Sequence, residues 1–534
     1  MNVDAEPQVA SLLLARQAGK LGDQPFLQFR ESEFTVADLY LMAGRMAAGL
    51  RDAGVRRGDM VGVMLPNCPE YVALSFGISF LGAIEVPVNV HHKGEILACL
   101  IGSVPASVLV LDASLADRFA ELEAVPASLS RIVIRRAAGD STTAPNLGAI
   151  PVEPMSAWSA LEPLSPDPSV RPMDACCLLF TSGTTGPSKR SLLPHHYGFH
   201  VVDVLTAHLE IEHSDRIYTF MPLFHNNARF GAVLPALVHG CRLILADHFS
   251  VTSFWQDMRR HDVTLTSLVG GLVTGLLQKE PAAGDRDHRL RRVFTAGAGG
   301  KAVVDFEARF GVRVIEGYGM TEVNVVLLNS LSRNVPGSIG RADCGFDVRI
   351  HDQHDAEVPV GSSGEIVVRP KQPYTMQLRY YGMPERTVAS SRNLWFHTGD
   401  LGYRNEAGDF FFVDRQKDSI RRLGENISSM ELEAIVNRHP AVLETAAVAI
   451  PAEDAEDEVK LVVVLKAGAE IGYAEMLDYC RRQMARFMVP RYLEFRHELP
   501  RNQTGRIEKY RLKQEGLHRE IWDGTTGRFV DLAR

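Results

Sequence analysis

The first half of the chain alternates between segments of helical and of β-type apolar spacing. Helices are predicted at residues 35–53, 71–82 and 93–103, and strands at 60–64, 84–89 and 107–111. Further apolar runs predict strands at 242–246, 263–268, 292–296 and 313–316. Because strands that alternate with helices form parallel sheets covered by helices, this part of the chain is predicted to be α/β.

The pattern changes at two later places. Residues 137–167 are rich in Ala, Pro, Ser and Thr and are expected to form a loosely ordered connection. From Val348 short strands dominate, at 348–351, 364–369 and 410–413, which indicates a smaller β-rich subdomain. A charged stretch after Asp414 leads to a helix at 428–438, strands at 445–450 and 460–465, and a helix at 473–488. We therefore predict a large N-terminal domain, residues 1–415, and a small α+β C-terminal domain, residues 416–534.

Composition and charge exclude several classes of protein. Apolar residues make up 46% of the 534 and charged residues 23%, as in soluble globular proteins. The net charge of −8 argues against a nucleic-acid surface. The N-terminus lacks the pattern of a secretory signal, and seven scattered cysteines favour reduced thiols in the cytoplasm. Residues 71–90 are apolar, but Glu85, Pro87 and Asn89 are costly in lipid, so a buried helix followed by a strand is expected there and no membrane span.

A hydroxyl- and glycine-rich loop follows the apolar run that ends at Phe180. The loop contains Thr181, Ser182, Gly183, Thr184, Thr185 and Gly186, and it closes with Lys189. Its backbone N–H groups, hydroxyls and one ammonium can bind a phosphate chain, and its glycines permit close backbone approach. Two residues separate Gly183 and Gly186, whereas four residues separate the two glycines of the P-loop NTPase signature.

Two further motifs carry side chains that suit a nucleotide. In Glu316–Glu322, Tyr318 can stack on an adenine, Thr321 can donate to a phosphate oxygen, and Glu322 can hold Mg²⁺. In the segment 395–400, Asp400 can accept hydrogen bonds from both ribose hydroxyls. Each motif alone is also an ordinary turn after a strand, and it is their order along the chain that favours a nucleotide site.

Together these motifs resemble the AMP-forming adenylating enzymes, which include acyl-CoA synthetases, carrier-loading adenylation domains and luciferase. The resemblance covers nearly the whole chain. The sequence around His225 and around residues 414–428 is most similar to that of carnitine/crotonobetaine-type CoA ligases. It implies that Arg415 contacts the ribose together with Asp400. It also implies that the C-terminal domain rotates about Lys417 and that Gly424 approaches pantetheine closely. His225 would be a positioning residue between the nucleotide and acid pockets, and Ala296, Gly297 and Ala298 would lie near adenine.

The main departure from the family pattern lies in the segment 499–509. The family's C-terminal lysine, which bridges the acid carboxylate and the α-phosphate, falls on Arg506. Arginine is cationic and binds carboxylate and phosphate, but it is bulkier and planar. Lys509 is three residues further on and could replace it only if the loop shifted.

The function that the resemblance implies is ATP-dependent ligation of a small acid to CoA, with ATP and Mg²⁺ as cofactors, an acyl-adenylate intermediate, and release of pyrophosphate and then AMP. A homodimer is compatible with the family. One alternative keeps the adenylation but transfers to a carrier protein, or activates nitrite for diazotisation of an aromatic amine. Another is a nucleotide-binding sensor without turnover. If Asn226, Asn227 and Arg229 face the acid pocket, they favour a small polar or anionic acid; Arg229 could equally be a surface or supporting residue.

Overall fold

The computed structural model describes residues 7–120, 122, 126–137, 150–181, 189–415, 420–422, 425–451, 457–484, 486–501 and 507–531. The chain packs as two units. The first comprises Met1–Asp347 and Val368–Phe396, and the second comprises Val348–Val367 and His397–Arg534. The predicted domain boundary at Arg415 was defined by an expected rotation of the C-terminal domain about Lys417. Because Lys417 lies outside the described residues, this boundary stays a prediction.

An eight-stranded sheet in the first unit carries the predicted parallel strands. Its central strands pair in parallel, and an antiparallel strand lies at each edge. In sheet order the strands are Asn324–Leu328, Arg313–Met320, Arg292–Ala296, Leu265–Val269, Arg216–Thr219, Arg242–Leu245, Pro25–Phe29 and Ser32–Thr35. The strand predicted at 313–316 is longer than expected, because Gly317–Met320 pair with the antiparallel strand Asn324–Leu328.

A second eight-stranded sheet in the same unit places the glycine-rich loop. In sheet order its strands are Arg379–Tyr380, Lys189–Pro194, Ala175–Thr181, Ile84–Pro87, Met60–Met64, Ala106–Asp112, Arg131–Arg135 and Val152–Pro154. The pairings from Ala175–Thr181 to Val152–Pro154 are parallel, and the first two pairings are antiparallel. The loop therefore joins two antiparallel neighbours.

Helices connect these strands, which confirms the predicted α/β class. The α-helices of the unit are Ala10–Leu21, Val36–Asp52, Pro69–Phe80, Gly94–Gly102, Ala116–Ala120, His195–Leu209, Asn226–Ala228, Leu234–His239, Phe254–Arg260, Gly270–Leu277, Gly300–Phe310 and Pro384–Ala389. Short 3₁₀ helices lie at Ala113–Leu115, Met155–Ala160 and Arg392–Leu394, and a π-helix at Arg229–Val233. Val36–Asp52 starts with a capping box between Thr35 and Asp38, which satisfies free N–H groups of its first turn.

The expectation of a loosely ordered connection is wrong for the end of that segment. Residues 138–149 lie outside the described part of the chain, but Val152–Pro154 is an edge strand and Met155–Ala160 a 3₁₀ helix. Trp158 is buried against Gly49, where a Cβ atom would lie 2.2 Å from the indole ring. The expectation rested on the many small and turn-forming residues of the segment. It did not take into account that one aromatic residue, Trp158, can pack into the interior.

Among the described residues, three further sheets lie wholly or mainly in the second unit. A four-stranded sheet has the order Phe346–His351, Gly364–Pro370, Phe396–Arg404 and Phe410–Arg415; Ile420–Arg422 and Glu425–Ile427 form a pair; and a five-stranded sheet has the order Val442–Pro451, Asp457–Leu465, Tyr492–Arg496, Trp522–Asp523 and Arg528–Phe529. The helices are Ser429–Val436, Tyr473–Gln483 and Lys509–Glu515, with a 3₁₀ turn at Arg486–Met488.

The apolar stretch at 71–90 is a helix followed by a strand, as predicted. Pro69–Phe80 is buried over most of its length, and Ile84–Pro87 is a fully buried strand. Within the described ranges, none of the helices combines the length and apolar character needed to cross a bilayer.

Candidate active site

The two ends of the glycine-rich loop are fixed by one rung of a β-ladder. Thr181 is the last residue of Ala175–Thr181 and Lys189 the first of Lys189–Pro194, and the two face each other in register. The intervening predicted phosphate ligands Ser182, Gly183, Thr184, Thr185 and Gly186 lie outside the described residues. The described structure therefore fixes the positions of the two residues at the ends of the loop, Thr181 and Lys189.

Tyr380 links Lys189 to the carboxylate of Glu322, and sequence reasoning missed it. Tyr380 Oη donates a hydrogen bond to Glu322 Oε1 at 3.0 Å and accepts one from Lys189 Nζ at 3.4 Å. The ammonium also lies 5.1 Å from the Tyr380 ring centroid, a cation–π contact. Burial, followed by Glu322, raises the pKa of Tyr380, so the phenol stays protonated and keeps donating. The tyrosine sits on a two-residue edge strand that has no periodic sequence signal.

Glu322 also contacts one end of the loop. Thr181 Oγ1 donates to Glu322 Oε1 at 3.2 Å, so Thr181 and Tyr380 share one carboxylate oxygen. The Glu322 side chain is only 3% exposed. Oε2 accepts no hydrogen bond from the described residues, and a carboxylate oxygen is a suitable ligand for Mg²⁺. Thr321, half-buried, directly precedes it in the turn after Arg313–Met320.

The segment predicted to lie near adenine forms a glycine turn at the carboxyl end of Arg292–Ala296. Gly297 and Gly299 have φ values of 70° and 78°, a left-handed conformation that glycine adopts freely and proline cannot. Ala298 N–H and Gly299 N–H donate to Glu316 Oε1, at 3.0 and 3.4 Å.

Glu316 thus ties the turn to the neighbouring parallel strand that carries Tyr318. Burial raises the pKa of Glu316, although the turn's N–H groups act in the opposite direction. Tyr318 is buried in the same strand, two residues further on. Ala296 and Gly297 are exposed and Ala298 half-buried, so the turn presents backbone at the strand ends, where ligands bind in open α/β sheets.

His225 is a neutral, partly desolvated histidine. It immediately precedes Asn226–Ala228 and packs against Phe224, with ring centroids 4.7 Å apart. Burial, assisted by Arg229 and His92, lowers its pKa from 6.5 to about 4. Its Nε2 and the Oδ1 of Asn227 are buried without a hydrogen-bond partner among the described residues. These two atoms can serve a ligand as neutral hydrogen-bonding groups.

Arg229 does not supply a free positive charge to an acid pocket. Its Nη1 donates to Glu85 Oε2 at 2.5 Å, and Nη2 donates to Glu85 Oε1 and, at 2.9 Å, to Tyr71 Oη. Its Nε donates to the carbonyl of Leu223. The side chains of Arg229 and Glu85 are 10% and 4% exposed. The interpretation that Arg229 favours an anionic acid is therefore wrong, because a buried carboxylate already neutralises it.

Asp400 and Arg415 meet in the second unit. They are opposite one another on the antiparallel strands Phe396–Arg404 and Phe410–Arg415, with Arg415 Nε 3.6 Å from Asp400 Oδ1. The turn before Asp400 is held by Glu365, which accepts from Gly399 N–H at 2.9 Å and from His397 Nδ1 at 2.8 Å. The arrangement places the Asp400 carboxylate beside the Arg415 guanidinium, and contact of either residue with a ribose stays a prediction.

Lys509 belongs to a hydrogen-bonded network within the second unit. Its Nζ lies 2.8 Å from Glu433 Oε1 and donates to Ser429 Oγ at 2.5 Å. Ser429 Oγ in turn donates to Asp414 Oδ2 at 2.7 Å. Freeing Lys509 would leave the buried Glu433 carboxylate without its cation. Arg506, Lys417 and Gly424 lie outside the described residues, and their roles remain predictions.

Comparison with known proteins supplies independent findings. The family model described as "AMP-binding enzyme" matches residues 14–381, and the model for its C-terminal domain matches residues 431–506. The crotonobetaine/carnitine–CoA ligase of Salmonella typhimurium (strain LT2) is 33% identical over 508 residues, which cover 93% of this chain and 97% of that protein.

Two solved structures illustrate the similarity of fold. ATP-bound MatB from Rhodopseudomonas palustris has a TM-score of 0.82 at 26% identity, covering 94% of this chain and 98% of the other. The anthranilate–CoA ligase AuaEII in complex with anthranoyl-AMP has a TM-score of 0.84 at 23% identity, covering 96% and 98%. At 23% identity, the similarity to AuaEII is a similarity of fold alone.

Proposed function

This chain belongs to the AMP-binding enzyme family, and on that premise we propose that it ligates a small carboxylic acid to CoA at the expense of ATP. A carboxylate oxygen of the acid attacks the α-phosphorus of ATP, and the bond to pyrophosphate breaks. The thiol of CoA then attacks the acyl carbon of the adenylate, AMP leaves, and the thiol proton is released. The observation that carries the proposal is the linked set of Lys189, Tyr380, Glu322 and Thr181 at the ends of the loop.

The described side chains suit the first half-reaction. Lys189 supplies an ammonium next to the loop, and Tyr380 holds it within reach of Glu322. We assign Glu322 as the Mg²⁺ ligand; the bound cation would neutralise phosphate charge. Because phosphoryl and nucleotidyl transfer rely mostly on positioning and electrostatics, a rigid linkage between the cationic and anionic residues is the contribution expected of the protein.

The ribose and the second half-reaction depend on residues that the resemblance supplies. Asp400 and Arg415 are proposed to bind the ribose hydroxyls. Arg506 is proposed to contact the carboxylate and α-phosphate in the first step, and rotation about Lys417 to present Gly424 to CoA in the second. The Lys509 network supports Arg506 as the cation, because it occupies the alternative lysine.

The character of the acid follows from His225, Asn227 and Arg229. Since Arg229 is neutralised by Glu85, and His225 is uncharged at neutral pH, this wall offers neutral hydrogen-bonding atoms. We therefore propose an acid whose distal end is polar without being anionic. Dicarboxylates are expected to be poorer substrates than uncharged or zwitterionic short acids of the same length.

The test is a thioester screen read by mass spectrometry, with short, aromatic, betaine-like and dicarboxylic acids, each with ATP, Mg²⁺ and with or without CoA. The proposal predicts an acyl-CoA product together with AMP. Glu322→Gln is expected to abolish the product while leaving the protein folded. AMP formation that is independent of CoA and requires nitrite and an aromatic amine would overturn the ligase assignment. Transfer of the acyl group to a carrier protein in place of CoA would also overturn it. ATP binding without pyrophosphate release for any acid would indicate a nucleotide sensor.

A further inference from the structure

Three potential metal ligands converge in the first unit, outside the residues assigned to the reaction. His208 lies in the last turn of the helix His195–Leu209, and Asp343 and Cys344 lie in the segment before Phe346–His351. His208 Nε2 is 3.1 Å from Asp343 Oδ1 and 4.0 Å from Cys344 Sγ, and the sulfur is 3.8 Å from the same carboxylate oxygen. One nitrogen, one oxygen and one sulfur thus lie within 4.0 Å of one another.

The second nitrogen of His208 fixes how the ring can act. His208 Nδ1 lies 2.7 Å from the carbonyl oxygen of Val204, which can only accept, so Nδ1 carries a proton. In the neutral ring Nε2 then holds a lone pair directed at Asp343 and Cys344. A histidine that donates one N–H to a carbonyl and offers the other nitrogen to a cation is the usual arrangement of a metal ligand.

The ligand-to-ligand distances match a tetrahedral ion. With bonds of about 2.0 Å to N and O and about 2.3 Å to S, tetrahedral angles place N and O about 3.3 Å apart and S about 3.5 Å from either. The observed N–O distance of 3.1 Å and the observed sulfur distances of 3.8 and 4.0 Å lie within about half an ångström of these values. Calcium and magnesium prefer all-oxygen ligands, so a mixed N/O/S set selects a borderline-soft ion.

We propose that His208, Asp343 and Cys344 bind a divalent transition-metal ion of the Zn²⁺ class, with water in the fourth position. His208 and Cys344 are buried, whereas the Asp343 side chain is 57% exposed and provides the path of entry. The ion would join the end of the helix His195–Leu209 to a segment more than 130 residues further along the chain, within one unit. Its role would be to stabilise this junction; the ligation reaction does not require it.

Metal content tests the proposal directly. Protein purified without a histidine tag is stripped with chelator, reloaded with Zn²⁺ or Co²⁺ and freed of excess metal, and the bound metal is measured by elemental analysis. The proposal predicts close to one ion per chain and, for Co²⁺, an absorption band from thiolate charge transfer. Cys344→Ser should lose that band and bind at least tenfold more weakly. Cys241→Ser, at another buried cysteine, should bind as the unmodified protein does.

A second variant keeps the test decisive if Cys344→Ser does not fold. Asp343 is exposed, so Asp343→Asn is expected to fold normally, and circular dichroism checks this. It should also bind metal at least tenfold more weakly and should lose the rise in melting temperature that Zn²⁺ gives the unmodified protein. Equal metal content in the unmodified protein, Asp343→Asn and Cys344→Ser would overturn the proposal, as would no bound metal in any of them.

Discussion

Replacing Arg229 or Glu85 separates a structural ion pair from a substrate-binding cation. Arg229 makes four hydrogen bonds, two of them to Glu85, and both side chains are almost fully buried. Arg229→Met leaves the Glu85 carboxylate buried without its partner. Glu85→Gln likewise leaves the Arg229 guanidinium buried without a carboxylate partner. Removing one member of a buried pair costs about 3–5 kcal/mol, so each variant is expected to lose about that much unfolding free energy.

The double variant Glu85→Leu/Arg229→Met distinguishes the pair from two independent contributions. With both charges removed, no uncompensated charge remains, and replacing a buried pair by apolar residues is often close to neutral. The double variant should therefore be more stable than either single variant. Arg30→Met is the matched control: its pair with Asp247 is exposed, and such pairs contribute about 1 kcal/mol or less.

Urea unfolding followed by fluorescence and circular dichroism measures these differences, and steady-state kinetics on the same proteins measures KM for the acid. The reasoning is refuted if Arg229→Met unfolds within about 1 kcal/mol of the unmodified protein while KM for the acid rises tenfold or more. That result would return Arg229 to the acid pocket and restore the expectation of an anionic substrate.

Three further predictions concern the reaction and the pH dependence of stability. Tyr380→Phe should lower kcat/KM in ATP–pyrophosphate exchange about 10- to 100-fold, because a hydrogen bond to a charged group contributes about 1.5–3 kcal/mol, whereas Tyr381→Phe should leave it unchanged. Lys509→Met should lower the melting temperature, and Arg506→Lys should preserve or raise the exchange rate; loss of exchange in Lys509→Met at unchanged stability would contradict the assignment of the cation. His195 is buried and its pKa falls from 6.5 to about 4, so the unfolded chain binds the extra proton between these values. The neutral His195 contributes about 3 kcal/mol to the unfolding free energy, and this contribution is complete above pH 6.5 and is lost as the pH falls through 4. His195→Asn should therefore make the melting temperature depend less on pH over that interval.

Much of the fold could be predicted from the spacing of apolar residues. The strand Met60–Met64 and the strand Arg292–Ala296 coincide with the predictions, because short, largely buried runs flanked by turn residues give sharp boundaries. The strand at 313–316 was underestimated, since its continuation through Gly317 and Gly319 is imposed by antiparallel pairing with Asn324–Leu328. Glycines weaken a strand signal unless the partner strand is known.

The candidate site was predictable only where residues adjacent in sequence carry it. Glu322 and Lys189 were found from motifs, but Tyr380, which connects them, lies 58 residues beyond Glu322 on a two-residue edge strand. Arg229 shows the opposite difficulty. Its position near His225 suggested a pocket residue, and only the strand Ile84–Pro87, which places Glu85 in the interior, reveals what the guanidinium binds.

The central claim is that the acid is activated as an adenylate before the thioester forms. Once the screen has identified a substrate, the most direct measurement uses that acid with both carboxylate oxygens labelled as ¹⁸O, followed by mass spectrometry of the nucleotide. The account predicts one ¹⁸O atom in each AMP released, because the attacking carboxylate oxygen stays on the α-phosphorus when CoA takes the acyl group. Unlabelled AMP, or ¹⁸O in inorganic phosphate together with ADP, would contradict it.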